Sequence, residues 1–191
     1  LYNEGQTAGV FPTPVVGMVG LLPDVSRRCT MSFKNEGDII VLLGRVRTEL
    51  GGSEYLAVCH QVEAGEVPDV DLQEESQLID ILLELCEQGL IQSAHDISEG
   101  GLAVTLAESA IKGQIGFSVD LPVTAGQAAQ VLFSEAPTRV VISLAEENLD
   151  TVKNLASRYQ LPVTVLGRVG GRHLSISAGE NKLIDMDLEK A

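Results

Sequence analysis

Helix and strand patterns alternate along most of this chain, and the alternation limits the folds that it can adopt. The strongest helix pattern covers about Leu72–Gln88, where apolar residues recur three and four positions apart. A unit of strand, helix and strand follows at Arg139–Leu144, Asn148–Tyr159 and Val163–Val169. This order predicts an α/β (α+β) domain in which amphipathic helices cover a mixed sheet. The apolar stripe of the first helix is predicted to contain Leu72, Leu78, Ile79, Leu82, Leu83, Cys86 and Leu90.

Two apolar runs are typical of strands that are buried on both faces. Ile39–Leu43 is one, and Val15–Leu22, interrupted by glycines, is the other. A doubly buried strand needs neighbours on both sides, and the loop-like residues before Val15 offer none. We therefore expect residues 1–24 to be the tail of a preceding domain and residues 25–191 to form the main domain. Because the chain begins at Leu1 rather than Met, we expect a piece of a longer protein.

Two glycines near the end of the chain predict a hairpin. Gly170–Gly171 separates Val163–Val169 from a further strand pattern at His173–Ser177, so we expect these two strands to pair antiparallel. The glycines resemble a dinucleotide-binding motif in number only, because no helix pattern follows them. A last short strand is expected at Lys182–Met186.

The charge of the chain excludes two classes of partner. The sequence has 13 Lys and Arg against 27 Asp and Glu, a formal net charge of −14. Such a charge repels phosphate-rich surfaces at long range, so we expect neither nucleic acid nor an anionic membrane as a partner. The apolar runs are also far shorter than the roughly 20 residues that a membrane span needs. A single phosphate bound by backbone amides is compatible with this charge.

The cysteines indicate a reducing compartment. Cys29, Cys59 and Cys86 are widely spaced and form no Cys-x-x-Cys pair, and the three histidines are scattered. We therefore predict reduced thiols rather than zinc ligands or a disulfide framework. A cytoplasmic location is the corresponding expectation.

The first candidate site lies where a strand pattern ends, two glycines follow and a helix pattern begins. Gly100 and Gly101 would let an anion approach the free amides at the helix start, with Ser98 beside them. Asp96 and Glu99 are candidate ligands for a Mg²⁺ ion that bridges to a phosphate. The alternative is a tight turn in which Asp96 or Ser98 caps the helix.

The second candidate site is a glycine-rich loop. Gly51, Gly52 and Ser53 would cradle a phosphate with their backbone amides, although the Gly-Lys-Ser/Thr of a P-loop is absent. The alternative is a mobile loop before a short helix that runs through His60 and is capped by Ser53.

The third candidate site is a polar group at a helix-to-strand junction. Ser134, Glu135 and Arg139 lie close together in the sequence, at the kind of edge where α/β folds often bind ligands. The alternative is a helix cap with a surface Glu–Arg pair worth less than about 1 kcal/mol.

Four motifs occur in order along the chain, and together they resemble one family. They are Pro12–Gly20, Leu50–Leu56, Ser93–Ala103 and Phe133–Glu135. The set resembles phosphoribosylformylglycinamidine synthase, of the aminoimidazole-ribotide-synthetase-like superfamily, in its small, separate-subunit form. The resemblance covers essentially the whole chain. It implies the C-terminal portion of the synthetase subunit and a fold like the C-terminal domain of aminoimidazole ribotide synthetase.

The resemblance implies an ATP-dependent amidoligase of purine biosynthesis that converts phosphoribosylformylglycinamide into phosphoribosylformylglycinamidine. ATP and Mg²⁺ would serve the whole enzyme. A glutaminase subunit, a small bridging subunit and the preceding part of the same chain would be the partners. The family's metal- and substrate-binding segment and its catalytic histidines have no counterpart in this sequence. We therefore expect no catalytic residue here and no activity of the fragment alone.

The resemblance also bears on the third candidate site. Ser134, Glu135 and Arg139 match a substrate-binding segment in the family's first internal copy, and Ala136–Pro137 departs from that segment. Two other functions stay open on the residues alone. One is an assembly or regulatory module that binds protein without a ligand. The other is a selenide- or thiamin-phosphate-type kinase of the same superfamily, which the Leu50–Leu56 motif argues against.

Overall fold

The computed structural model describes residues 15–191, which form one mixed sheet covered by helices on both faces. The strands are β1 (Ile39–Leu43), β2 (Ser93–Asp96), β3 (Phe117–Asp120), β4 (Val140–Leu144), β5 (Val163–Val169), β6 (His173–Ala178) and β7 (Asn181–Asp187). The helices are α1 (Leu72–Glu87), α2 (Gly101–Gly113), α3 (Ala128–Phe133) and α4 (Leu149–Arg158). The predicted α+β class with a mixed sheet is therefore confirmed.

Strand β1 shows why the sheet needs helices on both faces. Its five residues are all buried, as the sequence predicts. Ile39, Val41 and Leu43 face one core with α1 and α4, while Ile40 and Leu42 face a second core with α2 and α3. An apolar residue at every position is stable only where helices exclude water from both sides.

The strand order corrects the predicted hairpin. The order in the seven-stranded sheet is β2-β4-β1-β5-β3-β6-β7, so β3 lies between β5 and β6. The Gly170–Gly171 turn therefore crosses the end of β3, where Gly170 donates to Gly116 O and Gly116 donates to Gly171 O. Strands β5 and β6 run in opposite directions without pairing. The antiparallel hairpin of the C-terminal region is β6–β7 instead, joined at Gly179.

Helix α1 begins at the predicted residue and ends one residue before the predicted end, and its predicted buried stripe is only partly confirmed. The Asp71 carboxylate caps the helix start by accepting from the Gln73 and Glu74 amides. The fully buried residues are Leu78, Ile81 and Leu85, and Leu82, Cys86 and Leu90 of the predicted stripe are partly buried against the same cluster. By contrast, Leu72, Ile79 and Leu83 are 79%, 50% and 59% exposed. The helix therefore carries a second apolar face that points away from the sheet.

Val15–Leu22 is not the buried strand that the sequence predicts. These residues form no strand, and Val15, Val16, Met18, Val19 and Leu21 are at least 80% exposed. The run has the composition of an inner strand, but no neighbouring strand pairs with it among residues 15–191. The remainder of the predicted tail, residues 1–14, lies outside the described residues. No helix in the described part of the chain is long and apolar enough to span a membrane.

Candidate functional site

The structure brings the three candidate segments to one junction, and a carboxylate of the chain itself joins them. Oε1 of Glu135 accepts from the Gly100 amide at 2.8 Å and from the Glu54 amide at 2.9 Å. These donors lie 35 and 81 residues away along the sequence. The Glu135 carboxylate thus accepts from the Gly100 amide, which the sequence analysis expected to bind an external anion. We call Glu135, Gly100 and Glu54 the carboxylate junction.

The two glycines at the start of α2 serve close packing of the backbone. Gly101 has a φ of +66°, and a Cβ there would lie 2.6 Å from Leu132 O and 2.7 Å from Ser134 O. Its amide already donates to Ser98 O at 3.0 Å. The amides of Gly100 and Gly101 are therefore engaged within the chain, and anion binding at this helix start stays a prediction. The alternative is incorrect in detail, because neither Asp96 nor Ser98 caps the helix through its side chain.

The glycine-rich loop closes on itself in the same way. The Gly52 amide donates to Ala64 O at 3.2 Å, and the Ser53 amide donates to Leu50 O at 3.1 Å. The backbone of Gly51 approaches Glu66 so closely that a Cβ would lie 2.0 Å from Glu66 O. The Ser53 hydroxyl caps the predicted short helix by accepting from the Leu56 amide at 3.4 Å. That helix is a single π-helical turn, Tyr55–Cys59.

Arg139 is a buried cation that holds the turn after α3. Its guanidinium donates to Ala136 O at 2.9 Å and to Ser134 O at 2.8 Å, and the side chain of Ser134 is itself fully buried. Desolvation by burial, with a smaller effect from the nearby Arg47 cation, lowers the pKa of Arg139 to about 10. The group is still charged at neutral pH and uses two backbone carbonyls as acceptors. The predicted surface pair with Glu135 is not formed among the described ion pairs.

Five backbone amides of the candidate segments already have acceptors within the chain. The amides of Gly52, Ser53, Glu54, Gly100 and Gly101 all donate to oxygens of the chain. A Mg²⁺ ion prefers an octahedral set of oxygens, usually with more than one carboxylate. Within residues 15–191, no three side chains of the metal-binding types come together. A metal at Asp96 and Glu99 stays a prediction, and the side chains present do not form a site for it.

An aromatic pair that the sequence analysis missed supports the junction from the side. The rings of Tyr55 and Phe133 are stacked, with centroids 4.6 Å apart and planes 4° from parallel. Tyr55 directly follows Glu54, and Phe133 lies two residues before Glu135. The stack and the carboxylate therefore connect the same two segments. Offset aromatic contacts of this kind add roughly 0.5–1.5 kcal/mol to the burial of the rings. The only signal in the sequence is that each ring stands beside a candidate motif.

The mixed sheet with helices on both faces defines the class of the protein as α+β. A comparison with known families then identifies the family. The family described as AIR synthase related protein, C-terminal domain, matches residues 35–178. This range covers most of the chain, so the chain belongs to that family. The superfamily predicted from the four motifs is thereby confirmed.

Sequence relatives place the chain with one enzyme subunit. It is 46% identical over 189 residues to the phosphoribosylformylglycinamidine synthase subunit PurL of Thermoanaerobacter sp. (strain X514), which covers 99% of this chain and 26% of the relative. The subunit PurL of Moorella thermoacetica is 43% identical over 189 residues, with the same coverage of 99% and 26%. The chain thus spans about a quarter of the length of these curated relatives, and it resembles the C-terminal portion of PurL.

Solved structures confirm the fold. Thermotoga maritima PurL complexed with FGAR matches 87% of this chain and 29% of its own, with a TM-score of 0.76 and 19% identity. The structure of PurLQS from the same organism gives a TM-score of 0.70 at 19% identity, over 86% of this chain and 27% of its own. Escherichia coli HypE, a hydrogenase maturation protein, gives 0.61 at 17% identity, over 86% and 53%. At these identities the matches establish the fold alone.

Proposed function

We propose that this chain is a C-terminal domain of a phosphoribosylformylglycinamidine synthase subunit and that it supports the enzyme's architecture rather than its chemistry. The carboxylate junction carries this proposal. Glu135 accepts hydrogen bonds from the amides of Gly100 and Glu54, and the amides of Gly52, Ser53 and Gly101 donate to backbone oxygens. A domain in which the amides of Gly52, Ser53, Glu54, Gly100 and Gly101 are engaged internally uses them to hold its own segments together, which supports a role in architecture rather than in binding the reacting phosphates.

The relatives supply the reaction in which such a domain would take part. Their name denotes the synthase that forms phosphoribosylformylglycinamidine. The corresponding step is the ATP- and Mg²⁺-dependent amidation of phosphoribosylformylglycinamide. Thermotoga maritima PurL has been crystallised with ATP, and a PurLQS assembly is known for that organism. For this chain we infer the same reaction for the whole enzyme, with a glutaminase subunit and a small bridging subunit as its partners.

Two exposed apolar features favour docking against another domain. The side chains from Val15 to Leu21 are at least 80% exposed, Leu22 is half exposed, and helix α1 presents Ile79 and Leu83 to solvent. Leu22 and Leu83 line one apolar cleft of about 730 Å³, so the two features are continuous. Contiguous apolar surface of this kind marks an interaction site. We infer that residues 15–24 and the outer face of α1 contact a preceding domain, consistent with the predicted division at residue 24.

A chimera tests the proposed function. In the Thermoanaerobacter sp. subunit, the quarter that matches this chain would be replaced by this chain. The chimera would then be assayed with phosphoribosylformylglycinamide, ATP and ammonia. We expect activity within about tenfold of the parent, a loss of no more than ~1.4 kcal/mol of transition-state stabilisation, because the exchanged domain supplies no reacting group. The parent without that quarter is the control and should be inactive. A folded chimera with no more activity than this control would contradict the proposal.

A further inference from the structure

The thiols of Cys29 and Cys86 line the same two clefts at one edge of the domain. One is the apolar cleft of about 730 Å³, which Leu83 also lines. The other has a volume of about 230 Å³ and is lined additionally by Lys34. Each cysteine is half-buried, so in the 191-residue chain, where no other domain covers the cleft, both sulfur atoms lie beside space that a small reagent can enter. The wide spacing in the sequence gave no sign of this proximity.

The two cysteines belong to segments that are held against each other by packing. Cys29 precedes Thr30, which is bridged to Ser93 at the edge of the sheet. Cys86 lies in the last turn of α1, and both cysteines pack on the same apolar cluster. Burial raises the pKa of the Cys86 thiol to about 11, and the neighbouring Cys29 thiol adds to the rise through its charge and a hydrogen bond. Packing on one cluster and lining of the same two clefts thus place both thiols at one edge of the domain.

We propose that Cys29 and Cys86 are a modification site at which a small-molecule disulfide, such as oxidised glutathione, forms an intramolecular disulfide. In the first step the Cys29 thiolate attacks the small disulfide, forms a mixed disulfide and releases one small thiol. In the second step the Cys86 thiolate attacks Sγ of Cys29 and releases the other small thiol. The two protein thiols lose two protons and two electrons, and the small disulfide is reduced to two thiols.

The order of the two steps follows from the environment of each thiol. The raised pKa of Cys86 disfavours that thiol as the first nucleophile, so we assign the bimolecular attack to Cys29, which lines both clefts. The second attack takes place between neighbouring groups, where a high effective concentration compensates for a small thiolate fraction. The bridge then ties the segment before β1 to helix α1 across the apolar cleft. A cross-link between segments so far apart in the sequence restricts the unfolded chain and raises the midpoint of thermal unfolding.

The third cysteine provides a matched background for the experiment. Cys59 is exposed on the π-helical turn and lines neither cleft. In the Cys59→Ser chain, incubation with oxidised glutathione should give a protein lighter by two hydrogen atoms, without an adduct, and with a higher unfolding midpoint. Dithiothreitol should reverse both changes. Adding Cys29→Ser or Cys86→Ser should abolish the bridge and leave at most one glutathione adduct.

The outcomes separate the proposal from ordinary surface reactivity. Peptide mapping of the oxidised wild-type chain with a Glu-specific protease identifies the bridged pair independently of any variant that fails to fold. A folded protein that carries one or two adducts and no bridge would overturn the proposal. A folded protein that stays unmodified, or a bridge that includes Cys59, would overturn it as well.

Discussion

Replacing Gly101 by alanine should lower the free energy of unfolding by at least about 3 kcal/mol, because the substitution combines backbone strain with overpacking. Gly101 has a φ of +66°, and the new Cβ would meet Leu132 O at 2.6 Å and Ser134 O at 2.7 Å. Backbone oxygens cannot rotate away as a side chain would, so α2 or the turn after α3 must shift. Urea unfolding followed by circular dichroism would measure the loss.

Gly52→Ala is the matched control for this prediction. Gly52 also has a positive φ, +71°, but nothing lies within 4 Å of a Cβ built on it. The substitution therefore imposes the backbone strain without the collision and should cost about 1 kcal/mol. Equal losses for the two variants would show that conformational strain, rather than close packing of the backbone, explains the glycine at position 101.

Glu135→Ala should lower the free energy of unfolding by about 2 kcal/mol, because two amides lose a charged acceptor. Both hydrogen bonds are short, 2.8 Å from Gly100 and 2.9 Å from Glu54, and they connect segments that are distant in sequence. We also expect faster amide exchange at Gly100 and Glu54. Thermal and urea unfolding, together with exchange followed by NMR, would test both effects.

Glu99→Ala provides the comparison for the carboxylate junction. Glu99 belongs to the same motif as Gly100, but it is exposed and its side chain makes no hydrogen bond to the described residues. Surface changes of this kind usually stay within about 0.5 kcal/mol. If Glu99→Ala and Glu135→Ala were equally mild, the carboxylate junction would be a feature of the surface and not a structural tie.

Local patterns were sufficient to predict most of the elements. Strands β1 and β5 have the predicted bounds, and α1 ends within one residue of the prediction. Burial on both faces and helix periodicity each produce a sequence pattern that is visible within a few residues. The position of β3 between β5 and β6 produces no such local pattern in the sequence. Strand neighbours depend on contacts between distant segments, and a two-glycine turn is compatible with a hairpin and with a crossing over a third strand.

The candidate site shows the same division. The sequence analysis selected Gly100, Gly101 and Glu135 as candidate binding residues, and the structure places Gly100 and Glu135 in one hydrogen bond and Gly101 against the backbone. The sequence could not show what approaches Gly101, since a bound ligand and the backbone of residues 132–134 both require a residue without a side chain at this position. Nor could it show that the anion on the Gly100 amide belongs to the chain. The partly wrong stripe of α1 has a related cause. The helix carries apolar residues on two faces, and the sequence pattern does not show which face packs on the sheet.

Calorimetric titration of ATP with Mg²⁺ into the 191-residue chain tests most directly the claim that this domain is architectural. Because the junction amides already donate to Glu135 and to backbone oxygens, we expect no binding heat and no change in the unfolding midpoint at millimolar nucleotide. Inorganic phosphate should behave in the same way. Saturable binding of ATP with Mg²⁺, accompanied by a rise in the unfolding midpoint that Glu135→Ala or Glu99→Ala alters, would contradict the account and assign a nucleotide site to this junction.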